Sequence, residues 1–230
     1  MSEGPSPSAL EFLGRLAGGL VHEIKNPLST LTIHLTLLKE DLHAALPGDR
    51  ALGRRVEGLE AEVRRLESVL EDFMRYAGAR RPDLARRDLA EVVGEMAEFL
   101  RPGFTKDGIE LHCAVDPTPV LLDAGLFKQA LLNVLLNAQQ ALGRGGRVTV
   151  TGGLAGDHAT LVVTDDGPGI AAEILPRVFD IYFSASRKGS GLGLPTARRI
   201  LEEHGGGIAI ASTPGRGTVV TIRLPQGEGA

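Results

Sequence analysis

Two parts of the chain combine residue types that do chemistry with spacings that let them act together. The first is His22-Glu23-Ile24-Lys25-Asn26-Pro27-Leu28-Ser29. A neutral imidazole is a competent nucleophile near pH 7. It needs a group that takes its ring proton and fixes its tautomer, and the adjacent carboxylate of Glu23 offers both. Neighbours at i and i+1 diverge by about 100° on a helix, so Glu23 has to curl back to reach the ring. Asn26 lies four residues on, on the same helix face as His22. An amide there could orient water against a modified His22. A lone helical histidine is ordinarily a surface or satisfied core residue. Here Leu20 and Ile24 occupy the apolar seam and leave His22 on a different, exposed face.

The second part is three stretches in the C-terminal half. Asn133 and Asn137 stand at i and i+4 in the apolar run Asn133-Val134-Leu135-Leu136-Asn137-Ala138. Two amides on one helix face suit phosphate oxygens and Mg²⁺, which takes oxygen ligands; they equally suit a plain polar helix edge. Asp165 ends the apolar strand Ala159–Val163 and is followed by Asp166-Gly167-Pro168-Gly169-Ile170. A carboxylate at a strand end can accept from an adenine amino group, with Gly167 and Gly169 letting the backbone approach a planar base. An Asp-Gly turn also occurs widely without any ligand. Gly189-Ser190-Gly191-Leu192-Gly193-Leu194 opens a helix, where bare N–H groups and the dipole favour phosphate. Its glycine spacing is neither the dinucleotide fingerprint nor a P-loop, so ATP would bind by another architecture. Residues 180–190, with Arg187 and Lys188, have the composition of a lid over phosphates.

The elements that must position these groups follow from periodicity. Residues 1–8 are rich in Gly, Pro and Ser and form a disordered lead-in. Leu13 to Leu42 recur at helical spacing, and Pro27 is expected to kink that helix. From Leu52 through Val56, Leu59, Val63, Leu66 and Leu70 to Phe73 the steps alternate four and three, a heptad seam. One helical hairpin buries too little apolar area alone, so the pattern predicts a homodimer with a four-helix bundle; packing on the rest of the chain is the alternative. A linker is expected at 80–87. Beyond it helices are expected at 89–101, 124–142 and 191–204. Strands are expected near 109–115, 147–153, 158–164, 207–212 and 218–223. The fold class is therefore α+β: an N-terminal two-helix hairpin at 9–79, then an α/β sandwich at 88–225 with helices on one face of a mixed sheet, and a tail at 226–230.

Composition narrows the function. Lys and Arg number 25 against 29 Asp and Glu, so no basic excess exists for nucleic acid. Cys113 is the only cysteine, which excludes an intrachain disulfide and fits a reducing compartment. No apolar run reaches membrane-spanning length and the N-terminus lacks a signal-peptide pattern, which predicts a cytoplasmic location.

In this order the segments resemble the transmitter core of sensor histidine kinases, with the Bergerat-type ATP-binding fold shared with gyrase and Hsp90. HEIKNPLS is similar to the H box and LLNVLLNAQQAL to the N box. DDGPGI, RVFDIYFS and GSGLGL are similar to the G1, F and G2 boxes, and TPGRGTVVTIRLP to the last glycine box. The resemblance implies that His22 is the phosphoacceptor, Glu23 its base and Asn26 a phosphatase-associated residue. It implies ATP and Mg²⁺ as cofactors, with Asn137 holding the metal and Asn133 near the phosphates. Asp165 would read adenine, with Gly167, Gly169 and Ile170 shaping the base pocket and Thr218 closing it. Gly191, Leu192, Gly193 and Leu194 would line the phosphate side. Gln140, Tyr182, Arg187, Lys188 and Gly189 complete the expected nucleotide set. ATP-hydrolysing relatives carry a glutamate four residues before the metal-binding Asn, where this chain has Asn133. The lack of that base fits a kinase. Two departures stand out: Ser186 where short-lid relatives often have Lys, and Pro195 just inside the last helix. The implied activity is autophosphorylation of His22 followed by transfer to an aspartate of a response regulator receiver domain. Alternatives are a protein acting mainly as a regulator phosphatase, or a non-catalytic phosphotransfer scaffold.

Overall fold

The computed structural model describes residues 24–42, 50–77, 81–183 and 190–226. His22, Glu23, Ser186, Arg187, Lys188 and Gly189 lie outside the described residues, as do the lead-in at 1–8 and the tail beyond 226. The chain forms two units, the first ending at Arg80 and the second beginning at Arg81.

In the first unit, α1 runs through 24–42 and α2 is Arg50–Ala77. Lys25 pairs with Glu71 at 3.2 Å and Lys39 with Glu60 at 3.2 Å, so the helices run antiparallel. The exposed Lys25–Glu71 pair contributes little to stability; the apolar seam must do more. Leu28 and Val56 are buried, yet Leu31, Leu38, Leu59 and Leu66 stay 44–55% exposed. Pro27 sits in the first described turn of α1, and the helix continues unbroken after it.

The second unit opens with β1 (Ala85–Asp88), which pairs antiparallel with β3 (Pro119–Leu122). Residues 85–87, expected as linker, thus form a strand together with Asp88, the first residue of the expected sandwich. Arg86 and Arg87 mask it: β1 has no alternating apolar face, and its pairing is decided by β3, whose Val120 and Leu122 are buried. Asp88 then caps α3 (Leu89–Lys106), its Oδ1 accepting from the N–H of Ala90 at 2.9 Å and of Thr118 at 2.9 Å. The helix passes through Pro102 and ends five residues later than expected. Proline costs the helix only the bond to the exposed Glu98 carbonyl, while the fully buried Phe104 holds the last turn in place. Gly108, at φ +70°, closes it by donating to the Thr105 carbonyl, and Ile109 donates back to Phe104.

Next come β2 (Glu110–Val115), α4 (Ala124–Leu142), β4 (Arg147–Ala155), β5 (His158–Asp165), a 3₁₀ turn at Leu175–Arg177, α5 (Gly193–Glu203), β6 (Gly207–Ser212) and β7 (Thr218–Pro225). The five-stranded sheet has the order β2-β4-β5-β7-β6, with β2 and β4 parallel and every other pair antiparallel. Alternate residues of β5 (Ala159, Leu161, Val163) and β7 (Val220, Ile222, Leu224) are buried. They form one core with Phe104 of α3, Phe127, Leu131 and Leu135 of α4, and Ile200 and Leu201 of α5. All three helices therefore cover a single face of a mixed sheet, the expected sandwich.

Candidate functional site

The end of β5 lies directly opposite the start of β7, with Asp165 and Thr218 paired in register. Both side chains fall on the helix-covered face, and both are buried, Asp165 at 5% exposure and Thr218 at 8%. A buried carboxylate needs donors. Asp165 Oδ1 accepts from the Gly167 N–H at 2.9 Å, and the Thr218 N–H also reaches the carboxylate. Burial nonetheless pushes its pKa above the ordinary carboxylate value, against those two N–H groups and with help from the nearby charge of Asp166.

Glycines shape the walls. A Cβ on Gly167 would stand 2.8 Å from Asp165 Oδ1. Gly169 has φ +71°, and a side chain there would strike the Thr213 carbonyl. Gly217, at φ +83°, is pressed against the Asp165 carbonyl in the same way. The loop after Asp165 is tied to the β6–β7 turn by Gly215 donating to the Pro168 carbonyl at 2.7 Å. Ile170 N–H donates to Ser212 Oγ at 2.8 Å, and that hydroxyl lies 2.8 Å from the Gly217 carbonyl and 3.0 Å from Thr218 Oγ1.

Along α4, the buried stripe of Phe127, Ala130, Leu131, Val134, Leu135 and Ala138 leaves Asn133 and Asn137 partly exposed on another face, and Gln140 exposed. A Cβ on Gly193 would lie 3.8 Å from the Cβ and Cγ of Asn133, so the first residue of α5 sits beside that amide. The first-turn N–H groups of α5 have no carbonyl one turn earlier. Pro195 occupies that turn without interrupting the helix, because the N–H it lacks would have been unpaired. Leu192 is the N-cap and is fully buried; its carbonyl accepts from Thr196 Oγ1 at 2.6 Å. It anchors the glycine stretch from within the core and has no surface with which to line a phosphate. Leu194 packs against the core at partial burial.

Tyr182 has φ +63°, and its N–H donates to the Gly191 carbonyl at 3.1 Å. Gly191 itself has φ +71°, and a side chain there would meet the Tyr182 and Phe183 backbone. The stretch before residue 184 and the stretch from 191 are thus locked backbone to backbone, while the Tyr182 side chain is 60% exposed. Arg177 stacks over Phe183 at 4.3 Å and Arg198 over Phe179 at 5.3 Å.

Of the expected nucleotide residues, the fold gathers Asp165, Gly167, Gly169, Ile170 and Thr218 at one end of the β5–β7 pair. It sets Asn133 beside Gly193. Ser212 and Gly217 escaped sequence reasoning as site-shaping residues, and Phe179 and Phe183 were read only as part of RVFDIYFS. Gly217 stood inside a recognised glycine motif; nothing marked Ser212, one residue before it. Among the described residues no three His, Cys, Asp or Glu side chains converge to hold a metal ion; Asn133 and Asn137 are partly exposed amides on α4.

Two domain families match this chain. Residues 12–80 match the His Kinase A (phospho-acceptor) domain, and residues 122–228 the histidine kinase-, DNA gyrase B- and HSP90-like ATPase. Sensor histidine kinase ZraS of Escherichia coli (strain K12) is 34% identical over 218 residues, covering 94% of this chain and 46% of that protein. The chain thus spans about half the length of that relative. Among solved structures, full-length ShkA in complex with AMPPNP aligns at TM-score 0.72 and 26% identity, over 94% of this chain and 46% of that one. Histidine kinase ThkA in complex with response regulator protein TrrA aligns at TM-score 0.69 and 25% identity, over 95% of this chain and 63% of that one.

Proposed function

The chain belongs to the sensor histidine kinases, carrying their phospho-acceptor and ATPase domains in tandem, and from that premise we propose that it phosphorylates its own His22 from ATP and passes the group to an aspartate of a response regulator. The observation that carries the reading is the buried Asp165–Thr218 pair, walled by Gly167, Gly169 and Gly217; a glycine-opened helix that starts beside Asn133 supports it.

The step balances within the named groups. A ring nitrogen of His22 attacks the γ-phosphorus, the bond to the bridging oxygen breaks, ADP leaves, and Glu23 takes the ring proton. Asp165 accepts from the adenine amine, and the first-turn N–H groups of α5 face anionic phosphate oxygens. Phosphoryl transfer needs alignment and charge neutralisation more than covalent help. Mg²⁺, entering with the nucleotide, would neutralise phosphate charge. It suits the hard amide oxygen of Asn137, since this ion takes few protein ligands when phosphates supply the others. With Asn133 where hydrolytic relatives place a glutamate, no carboxylate on that helix turn activates water.

We read the active form as a homodimer. Leu31, Leu38, Leu59 and Leu66 leave the hairpin seam half uncovered in one copy, and a second hairpin covers it. We place its action in the cytoplasm, where ATP is supplied; separately, no helix among the described residues is long and apolar enough to cross a membrane. A regulator phosphatase is the second reading, favoured by the exposed Asn26 side chain on α1.

Phosphotransfer profiling tests the proposal. The chain is labelled with ATP and mixed with candidate receiver domains. Label should leave the kinase and appear on one receiver within seconds. A chain that labels itself but transfers to no receiver would refute the transfer step.

A further inference from the structure

We infer that Ser212 is a positioning residue that sets base specificity: it takes the proton of the Thr218 hydroxyl, so that Thr218 can meet a nucleotide base only as an acceptor. This rests on the reading of the second unit as an ATP site and adds a residue that no sequence motif marked.

The argument is a count of protons. A serine hydroxyl has one proton and two lone pairs. The Ile170 N–H donates to Ser212 Oγ at 2.8 Å. The Gly217 carbonyl, also at 2.8 Å, can only accept; the Thr213 N–H reaches it only at a long 3.4 Å, so Ser212 is its close donor and the Ser212 proton is committed there. Thr218 Oγ1 lies 3.0 Å from the same hydroxyl. Ser212 has no second proton to give, so Thr218 must be the donor in that contact. The strand register enforces the arrangement, because Ser212 at the end of β6 pairs with Thr218 at the start of β7, and Gly217 directly precedes Thr218. Thr218 is in turn paired with Asp165.

Thr218 Oγ1 is then left with lone pairs alone, next to a carboxylate that also accepts. Two buried acceptors side by side complement an amine, directly or through a water. They oppose a carbonyl at the same place, where a buried acceptor would face another acceptor. ATP carries an amine at purine C6, and inosine triphosphate carries a carbonyl there.

The test measures the affinity of the whole chain for ATP and for inosine triphosphate by calorimetry. It compares wild type, Ser212→Ala, Ser212→Thr, Thr218→Val and the Ser212→Ala/Thr218→Val double variant, with thermal melts to verify folding. Ser212→Ala frees the Thr218 hydroxyl to turn and donate, so the preference for ATP should fall about tenfold. Ser212→Thr keeps a hydroxyl and should retain the preference. The double variant should discriminate no worse than Thr218→Val alone, because Ser212 acts through Thr218. If Ser212→Ala weakens both nucleotides by the same factor, Ser212 is a structural tie and the inference is overturned. Should Ser212→Ala not fold, an unchanged preference in Thr218→Val overturns it equally. A wild type that binds neither nucleotide refutes the ATP reading itself, a separate result.

Discussion

Asp165 carries opposing demands. Its burial disfavours the charged form, and its raised pKa is the mark of that cost. A carboxyl whose folded pKa lies above its unfolded value stabilises the fold fully only below the unfolded pKa. That contribution is lost as pH rises through the folded pKa. At neutral pH the charged group therefore works against folding. Asp165→Asn should melt at the wild-type temperature or above it in neutral buffer, with the difference shrinking as pH falls through the raised pKa. The same variant should lose ATP binding, because the amide turns a donor where the carboxylate accepted. Thermal melts over a pH series, set beside nucleotide titrations, check both halves. The place of Asp165 at the end of an apolar strand before two glycines was legible in the sequence. Ser212 was not, because a hydroxyl acquires a role only through partners that the β6–β7 register brings to it.

Among the elements, the glycine-bounded loops hold the site walls in unusual backbone conformations. Gly169→Ala places a Cβ against the Thr213 carbonyl at φ +71°. It should lower stability by about 2 kcal/mol or more and weaken nucleotide binding, as denaturant unfolding and calorimetry would register. The ends of the helices are also tied by side chains. His204 at the close of α5 is buried, accepting from the Asp123 N–H at 3.0 Å through Nε2 and holding the Ile200 carbonyl at 2.7 Å through Nδ1. Asp123 caps α4 by accepting from Leu126 at 3.1 Å, and its other oxygen accepts from the Asp83 N–H at 3.1 Å. His204→Ala strands these buried groups and should cost about 1–3 kcal/mol in chemical denaturation. Helix α4 and the strands from 147 onward were readable because their own residues carry a clear apolar period. The short pair β1–β3 and the last turn of α3 were not. β1 is four residues with two arginines, and α3 continues past a proline only because Phe104 is held in the core.

At the scale of the molecule, the proposed reaction divides the labour: the hairpin would present the acceptor and the sandwich would bind the donor. The hairpin was visible as a heptad seam, and its half-exposed leucines are the physical argument for the proposed second copy. Leu59→Glu combined with Leu66→Glu should turn a dimer into a monomer, read by light scattering, while ATP binding by the second unit persists. The account's central claim is tested most directly by incubating the chain with γ-labelled ATP and mapping the label. It predicts acid-labile, base-stable phosphate on His22 in wild type, and none in His22→Ala, which still binds ATP. Label of undiminished yield on His22→Ala would contradict it, as would a wild type that binds ATP and never becomes labelled.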